Sequence, residues 1–174
     1  MVGVKILSEE SLEELMNPTF ETEKAKVYTQ NGNAKTDDSK RNTTRYKIWY
    51  NWFPEICKEF EDYINDGTVV RQFDLLLYEA GGKFEKHLDE SRNRLTDKRV
   101  WSTITLLDKS DNLIGGDLVI YQNGDDEVGQ VVNLNVGETI IFDSKTTWHE
   151  ITEVIQGTRL SLVAWLKMLD TAYK

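Results

Sequence analysis

Apolar residues change their spacing along the chain near residue 68. Before it they recur at helical intervals; after it they come in short runs broken by glycine. Ser8–Met16 reads as a short helix, with Ser8 as a candidate N-cap, acidic residues in the first turn, and Ser11 and Glu14 at capping-box spacing. Asn51–Asn65 gives the clearest helical pattern. Trp52, Phe53, Ile56, Cys57, Phe60, Tyr63 and Ile64 form one apolar face, Pro54 sits in the tolerated first turn, and Gly67 ends the segment. Between these helices, residues 29–45 are almost purely polar and predict a long loop or mobile segment.

Beyond Gly67 the pattern predicts strands at Arg71–Glu79, Phe84–Leu88, Val100–Leu107, Leu118–Gln122, Val131–Asn135, Thr139–Phe142, Glu150–Ile155 and Arg159–Met168. Gly81-Gly82, Gly115-Gly116, Asn123-Gly124, Gly129, Gly137 and Gln156-Gly157 punctuate them. Evenly spaced short strands after two helices suggest a mainly β fold with flanking helices, a double-sheet jelly roll with the N-terminal helices packed outside. No internal repeat or composition break divides the chain. Residues 1–174 are expected to be one domain, with 1–67 as helical and loop support and 68–170 as the core.

Composition narrows the function classes. The net charge of −9 opposes phosphate-driven nucleic-acid binding, which needs a positive footprint. No apolar run approaches the roughly 20 residues of a membrane helix. The N-terminus turns acidic too early for a secretory signal. Cys57 is the only cysteine, so no internal disulfide forms and a cytoplasmic, reducing compartment is expected. Asn42-Thr43-Thr44 then reads as a polar loop and not as a glycosylation site.

The chain has two histidines, His87 and His149. Asp89 lies two positions after His87, and alternate residues of a strand share a face, so the pair can converge on one point. His149 is the only histidine left to complete a set. Two imidazoles and one carboxylate form the facial set of non-haem iron(II) oxygenases, which leaves coordination positions open. The same ligands do not exclude a zinc hydrolase. Arg159 follows His149 by ten residues, across the Gln156-Gly157 turn. The turn is expected to fold the Arg159 strand beside the His149 strand, placing a cation near the metal in the same sheet. A five-carbon keto-diacid would then chelate the metal with one end and meet the guanidinium with the other. The alternative for Arg159 is a surface charge on an edge strand, against which stand its neighbours Leu160, Leu162, Val163, Ala164 and Trp165.

Residues Tyr78–Asp89, with the run Tyr-Glu-Ala-Gly-Gly-Lys-Phe-Glu-Lys-His-Leu-Asp, resemble the first metal motif of prolyl 4-hydroxylase-like iron(II)/2-oxoglutarate oxygenases. Arg99–Leu107 and Gly115–Leu118 resemble the strand and Gly-Gly turn that follow. Val136–Phe142, Trp148–Val154 and Gly157–Trp165 resemble the second motif. The resemblance covers about residues 71–168 and implies a double-stranded β-helix. It also implies iron(II), 2-oxoglutarate and dioxygen, with ascorbate as an accessory reductant, and hydroxylation coupled to release of succinate and CO2. By position it makes His87, Asp89 and His149 the catalytic iron ligands, Arg159 the cosubstrate anchor, and Tyr78 a hydrogen-bond partner of the cosubstrate. Leu106 stands where the family often has a tyrosine, which bears on the cosubstrate pocket and on prolyl specificity. Trp165 reads as core packing, and Gly115 and Gly116 as a tight turn.

A peptide or protein substrate, proline first, is the expectation from this resemblance; a free amino acid or other small molecule is the alternative. A non-catalytic jelly-roll binding module is the rival of another class, and a nucleic-acid demethylase is disfavoured by charge. The polar stretches Tyr28–Arg45 and Glu90–Lys98 are expected to border the mouth of the barrel, with Arg92, Arg94 and Arg99 as candidate substrate contacts. Oligomeric state is left open.

Overall fold

A computed structural model of the chain describes residues 1–16, 18–28, 34–89 and 98–169. The N-terminal part holds β1 (Val4–Lys5), α1 (Glu9–Met16), β2 (Thr22–Lys24), β3 (Val27–Tyr28), β4 (Ala34–Lys35), β5 (Arg41–Asn42), β6 (Thr44–Tyr46) and α2 (Pro54–Ile64). The remainder is strand: β7 (Thr68–Tyr78), β8 (Lys83–His87), β9 (Arg99–Lys109), β10 (Ile114–Gly115), β11 (Leu118–Tyr121), β12 (Gln130–Val132), β13 (Glu138–Asp143), β14 (Trp148–Ile151), β15 (Val154–Gln156) and β16 (Arg159–Met168). A seven-stranded sheet has the order β1-β13-β9-β16-β7-β6-β2, and a five-stranded sheet has the order β12-β11-β14-β8-β5. β10 pairs with β15 and β3 with β4 in separate ribbons, and all the pairings are antiparallel.

β16 shows why the central strands read as continuous apolar runs. Leu160, Leu162, Ala164 and Leu166 join a core cluster with Leu15 of α1 and Ile56, Cys57 and Phe60 of α2. Val163 and Trp165, on the alternate face, join a second cluster with Tyr78, Ile104, Leu118, Ile151 and Val154, which draws on both large sheets. The strand is buried on both sides and needs apolar residues at nearly every position. Phe60 and Phe73 are fully buried, and truncating such a side chain costs about 3–5 kcal/mol.

Local signals place the helix ends. Ser8 Oγ accepts from the Ser11 N–H at 3.2 Å, as an N-cap should. The capping-box partner is not Glu14: Glu59 of α2 accepts from the Ser8 N–H at 3.0 Å and from Ser11 Oγ at 3.1 Å, tying the two helices together. Asn65, in the left-handed region with φ 51°, closes α2.

Two sequence expectations are corrected. Residues 34–45 are not one loop, because they contribute β4, β5 and most of β6 to three different sheets. Polar contacts hold them: Thr43 Oγ1 donates to the Leu77 carbonyl at 2.8 Å, and Arg45 Nε to Asp74 at 2.8 Å. Strands held this way carry no hydrophobic period. The strand expected over Glu150–Ile155 is two strands in different sheets, β14 and β15, separated by Thr152 and Glu153. β15 pairs with β10 beside Gly115, whose φ is +76° and where a Cβ would lie 2.0 Å from the Glu153 carbonyl oxygen. Only glycine fits that turn.

Candidate metal centre

β8 and β14 are neighbours, and His149 lies directly opposite His87 in their register. The two ring centroids are 4.2 Å apart. His87 Nδ1 lies 2.7 Å from the Glu85 carbonyl and His149 Nδ1 3.0 Å from the Thr147 carbonyl. A carbonyl only accepts, so each Nδ1 carries a proton, and in the neutral ring the lone pair is left on Nε2, the atom turned toward Asp89. Both Nε2 atoms lie 3.2 Å from Asp89 Oδ1. Donors about 2.1 Å from one octahedral ion and at right angles are about 3 Å apart, so the spacing suits a single metal. Phe84 stacks on His87 at 3.6 Å and Phe142 lies 4.7 Å from His149, fixing both rings on their outer sides.

Electrostatics favours ligand forms at two of the three groups. Burial, with the nearby charge of His149, pushes His87 down to about 4. Burial works against ionised Asp89, yet the two histidines outweigh it and hold the carboxyl well below its ordinary range. Burial also opposes a charged His149, but Asp89 overrides it and raises the pKa.

Sequence reasoning missed one contributor. Trp165 is buried as expected, but its Nε1–H also donates to Asp89 Oδ2 at 2.9 Å. Arg99 is also buried: Nη1 donates to the Asp89 carbonyl at 2.7 Å, Nη2 to Gln72 Oε1 at 2.9 Å, and its guanidinium lies 4.3 Å above the Trp165 ring. Alternation along β16 was the available signal, since Trp165 shares a strand face with Arg159. Arg92 and Arg94 lie outside the described residues.

Arg159 is buried on β16, opposite Tyr78 of β7. The expectation that it shares a sheet with His149 is overturned. β14 belongs to the five-stranded sheet and β16 to the seven-stranded one, because the chain leaves the first at Thr152 and Glu153. Arg159 Nη1 donates to the Gly116 carbonyl at 2.9 Å and Nε to Ser161 Oγ at 3.1 Å, while buried Nη2 has no hydrogen-bond partner among the described residues. Burial lowers the pKa of the guanidinium, with Tyr78 and Asp117 partly opposing. A buried cation with an idle donor suits a carboxylate ligand. Tyr78 is buried too, and burial raises its hydroxyl pKa against the opposing charges of Arg41 and Arg159. Leu106 packs in the same inter-sheet cluster as Tyr78.

A cavity of about 630 Å³ adjoins the triad, lined by His87, Asp89 and Trp165 together with Arg41, Asp74 and Trp49. Its wall includes Ala34, Lys40, Arg41 and Arg45 from the polar stretch Tyr28–Arg45, and Lys26 and Val27 just before it.

Residues 73–167 match the 2OG-Fe(II) oxygenase superfamily. No curated protein matches the chain. Among solved structures, a Pseudomonas putida prolyl-4-hydroxylase aligns with TM-score 0.54 and 21% identity over 78% of this chain and 77% of that one. A 2OG-Fe(II) oxygenase family oxidoreductase from Burkholderia pseudomallei aligns with TM-score 0.64 and 15% identity, covering 91% and 78%. A Trichoplax adhaerens prolyl hydroxylase, in complex with a hypoxia inducible factor oxygen degradation domain peptide fragment, aligns with TM-score 0.62 and 14% identity, covering 82% and 70%. At these identities the likeness is one of fold.

Proposed function

Because the chain belongs to the 2OG-Fe(II) oxygenase superfamily, we propose that it hydroxylates a C–H bond of a peptidyl residue, proline first, in a prolyl 4-hydroxylase-like reaction. The observation that carries this reading is the His87–Asp89–His149 set, whose ligand atoms lie within 4.8 Å of one another beside a cavity of about 630 Å³. In this reading residues 1–174 act as one oxygenase domain with a jelly-roll core. The family makes the protein an enzyme and implies iron and 2-oxoglutarate.

His87, Asp89 and His149 hold iron(II), each through the atom that faces the shared point. Bound there, iron(II) supplies the activation of dioxygen by which 2-oxoglutarate, dioxygen and a C–H bond become succinate, CO2 and a C–OH group. The protein supplies placement. Glu85 and Thr147 carbonyls hold the imidazole tautomers, and Trp165 holds the far oxygen of Asp89. Arg159 receives the distal carboxylate of 2-oxoglutarate on its idle Nη2, and Tyr78, opposite it, hydrogen-bonds the cosubstrate. Ascorbate sustains turnover as a reductant. No acid–base side chain is required at the substrate carbon.

The cavity supports a peptide over a compact small molecule. Trp49 lines it and is 61% exposed, offering an aromatic surface beyond the metal centre. The stretch expected to border substrate, Tyr28–Arg45, contributes Ala34, Lys40 and Arg41 to the same wall. A non-catalytic binding module has no use for two tautomer-fixed imidazoles and a tethered carboxylate.

The test is succinate release from 2-oxoglutarate with iron(II) and dioxygen, across proline-containing peptides and free amino acids. Stimulation by peptides supports the reading. Stimulation by free amino acids alone would replace it with a small-molecule hydroxylase.

A further inference from the structure

One buried carboxylate on the cavity wall is shared by two arginines. Asp74 of β7 is 4% exposed and faces two guanidinium groups. Arg45 Nε lies 2.8 Å from one of its oxygens, and Arg41 Nη2 lies 3.5 Å from the other. Arg45 has a second carboxylate, Glu23, at 2.9 Å. For Arg41, Asp74 at that looser distance is the one carboxylate partner among the described residues. Its Nη1 donates to the Lys26 carbonyl at 3.0 Å, and its buried Nε has no hydrogen-bond partner among the described residues. The residue is only 9% exposed, yet it lines the cavity.

Three further facts make this wall a site for an anion. A guanidinium presents five donors, so Arg41 keeps capacity beyond these two contacts. A buried cation that shares its counterion is costly unless a ligand supplies another. The cavity lining as a whole holds six cationic and four anionic residues, one of the four being Asp89, whereas the chain has 21 and 30. The basic lining therefore runs against the composition and is local to this cavity. Arg41 also sits close to the chemistry: its guanidinium lies 4.3 Å above Phe84, and Phe84 stacks at 3.6 Å on His87.

We propose that Arg41 anchors a carboxylate of the substrate, making a substrate that carries an acidic group near the hydroxylated carbon the preferred class. The inference rests on the oxygenase reading above, with substrate in this cavity, and assigns Arg159 to the cosubstrate. The carboxylate belongs either to an acidic residue of a peptide or to a free amino acid, and the two present the same chemistry to Arg41.

The test uses the full chain with iron(II), 2-oxoglutarate and dioxygen. One arm is a degenerate proline-containing peptide library and its twin with every Asp and Glu replaced by Asn and Gln. The other arm is a set of free amino acids and their amides. Mass spectrometry reads gain of one oxygen atom. In wild type, acid members should exceed amide members by about tenfold or more in one arm, which identifies the source of the carboxylate. The ratio should fall to about one in Arg41→Met and lie between in Arg41→Lys, which keeps the charge but not the fork. Each ratio is internal to a variant, so a general loss of turnover does not alter it. If Arg41→Met fails to fold, the wild-type ratio and the Lys variant decide. Equal oxidation of acids and amides by wild type, or no oxidation of any acid member, overturns the proposal. So does an unchanged ratio in the variants, or a raised 2-oxoglutarate constant in place of a changed ratio. Iron-dependent succinate release without added substrate, measured on wild type, separates the two failures: its absence would sink the oxygenase reading itself.

Discussion

Trp165 and Asp89 lie 76 positions apart and meet in a 2.9 Å hydrogen bond from Nε1 to Oδ2. The other oxygen of that carboxylate, Oδ1, is the one 3.2 Å from both imidazole Nε2 atoms. The indole thus holds Oδ2, leaving Oδ1 toward the two imidazoles, and it reaches across from the opposite sheet to do so. Arg99 adds a second restraint by donating to the Asp89 carbonyl at 2.7 Å.

Trp165→Phe should keep the aromatic packing and lose the donor. Removing a hydrogen bond behind a metal ligand typically lowers metal affinity by about 10–100-fold, so iron(II) should bind more weakly to the folded variant. Competition titration with a chelator measures it. Unchanged affinity would show that Asp89 is oriented by Arg99 and the backbone alone.

Arg159→Gln removes the buried cation while keeping a polar side chain whose amide ends near the position of Nε, beside Ser161 Oγ. Loss of a desolvated charge pair costs about 2–5 kcal/mol, so the apparent constant for 2-oxoglutarate should rise by about tenfold or more. Iron(II) binding should persist, because β16 carries none of the three proposed ligands. A variant with wild-type 2-oxoglutarate dependence would move the cosubstrate anchor elsewhere.

Much of this was legible in the residues, for reasons that also explain the rest. His87, Asp89 and His149 stood out because histidine is scarce in the chain and because i, i+2 spacing on a strand has one geometric meaning. Arg159 stood out because its neighbours demanded burial. Its sheet could not be read, since the switch at Thr152 and Glu153 depends on β15 pairing with β10, a contact remote in sequence. The short strands β2 to β6 were invisible because ion pairs and carbonyl contacts hold them, as with Arg45 and Asp74. Trp165 was read only as an apolar residue, because a pattern of apolar positions does not record where an indole N–H points.

Cys57 provides a check on the helical layer. Burial, reinforced by Glu61, raises its thiol to about 11, and Sγ donates to the Tyr50 carbonyl at 3.3 Å. At about pH 8 only about one thousandth of such a thiol is thiolate, against about a quarter for a free cysteine. Alkylation of the native protein should be about a hundredfold slower than that of the unfolded chain, and it should quicken as pH rises toward 11. Rapid native labelling would contradict the packing of α2 against β7.

The proposed function stands on His87, Asp89 and His149 forming one iron site that drives 2-oxoglutarate turnover. The most direct measurement is iron stoichiometry together with iron-dependent succinate formation, in wild type and in His149→Ala. One iron(II) per wild-type chain is expected, with succinate formed only when iron is supplied, and both should be lost in the variant. A variant that retains stoichiometric iron and wild-type succinate formation would contradict it.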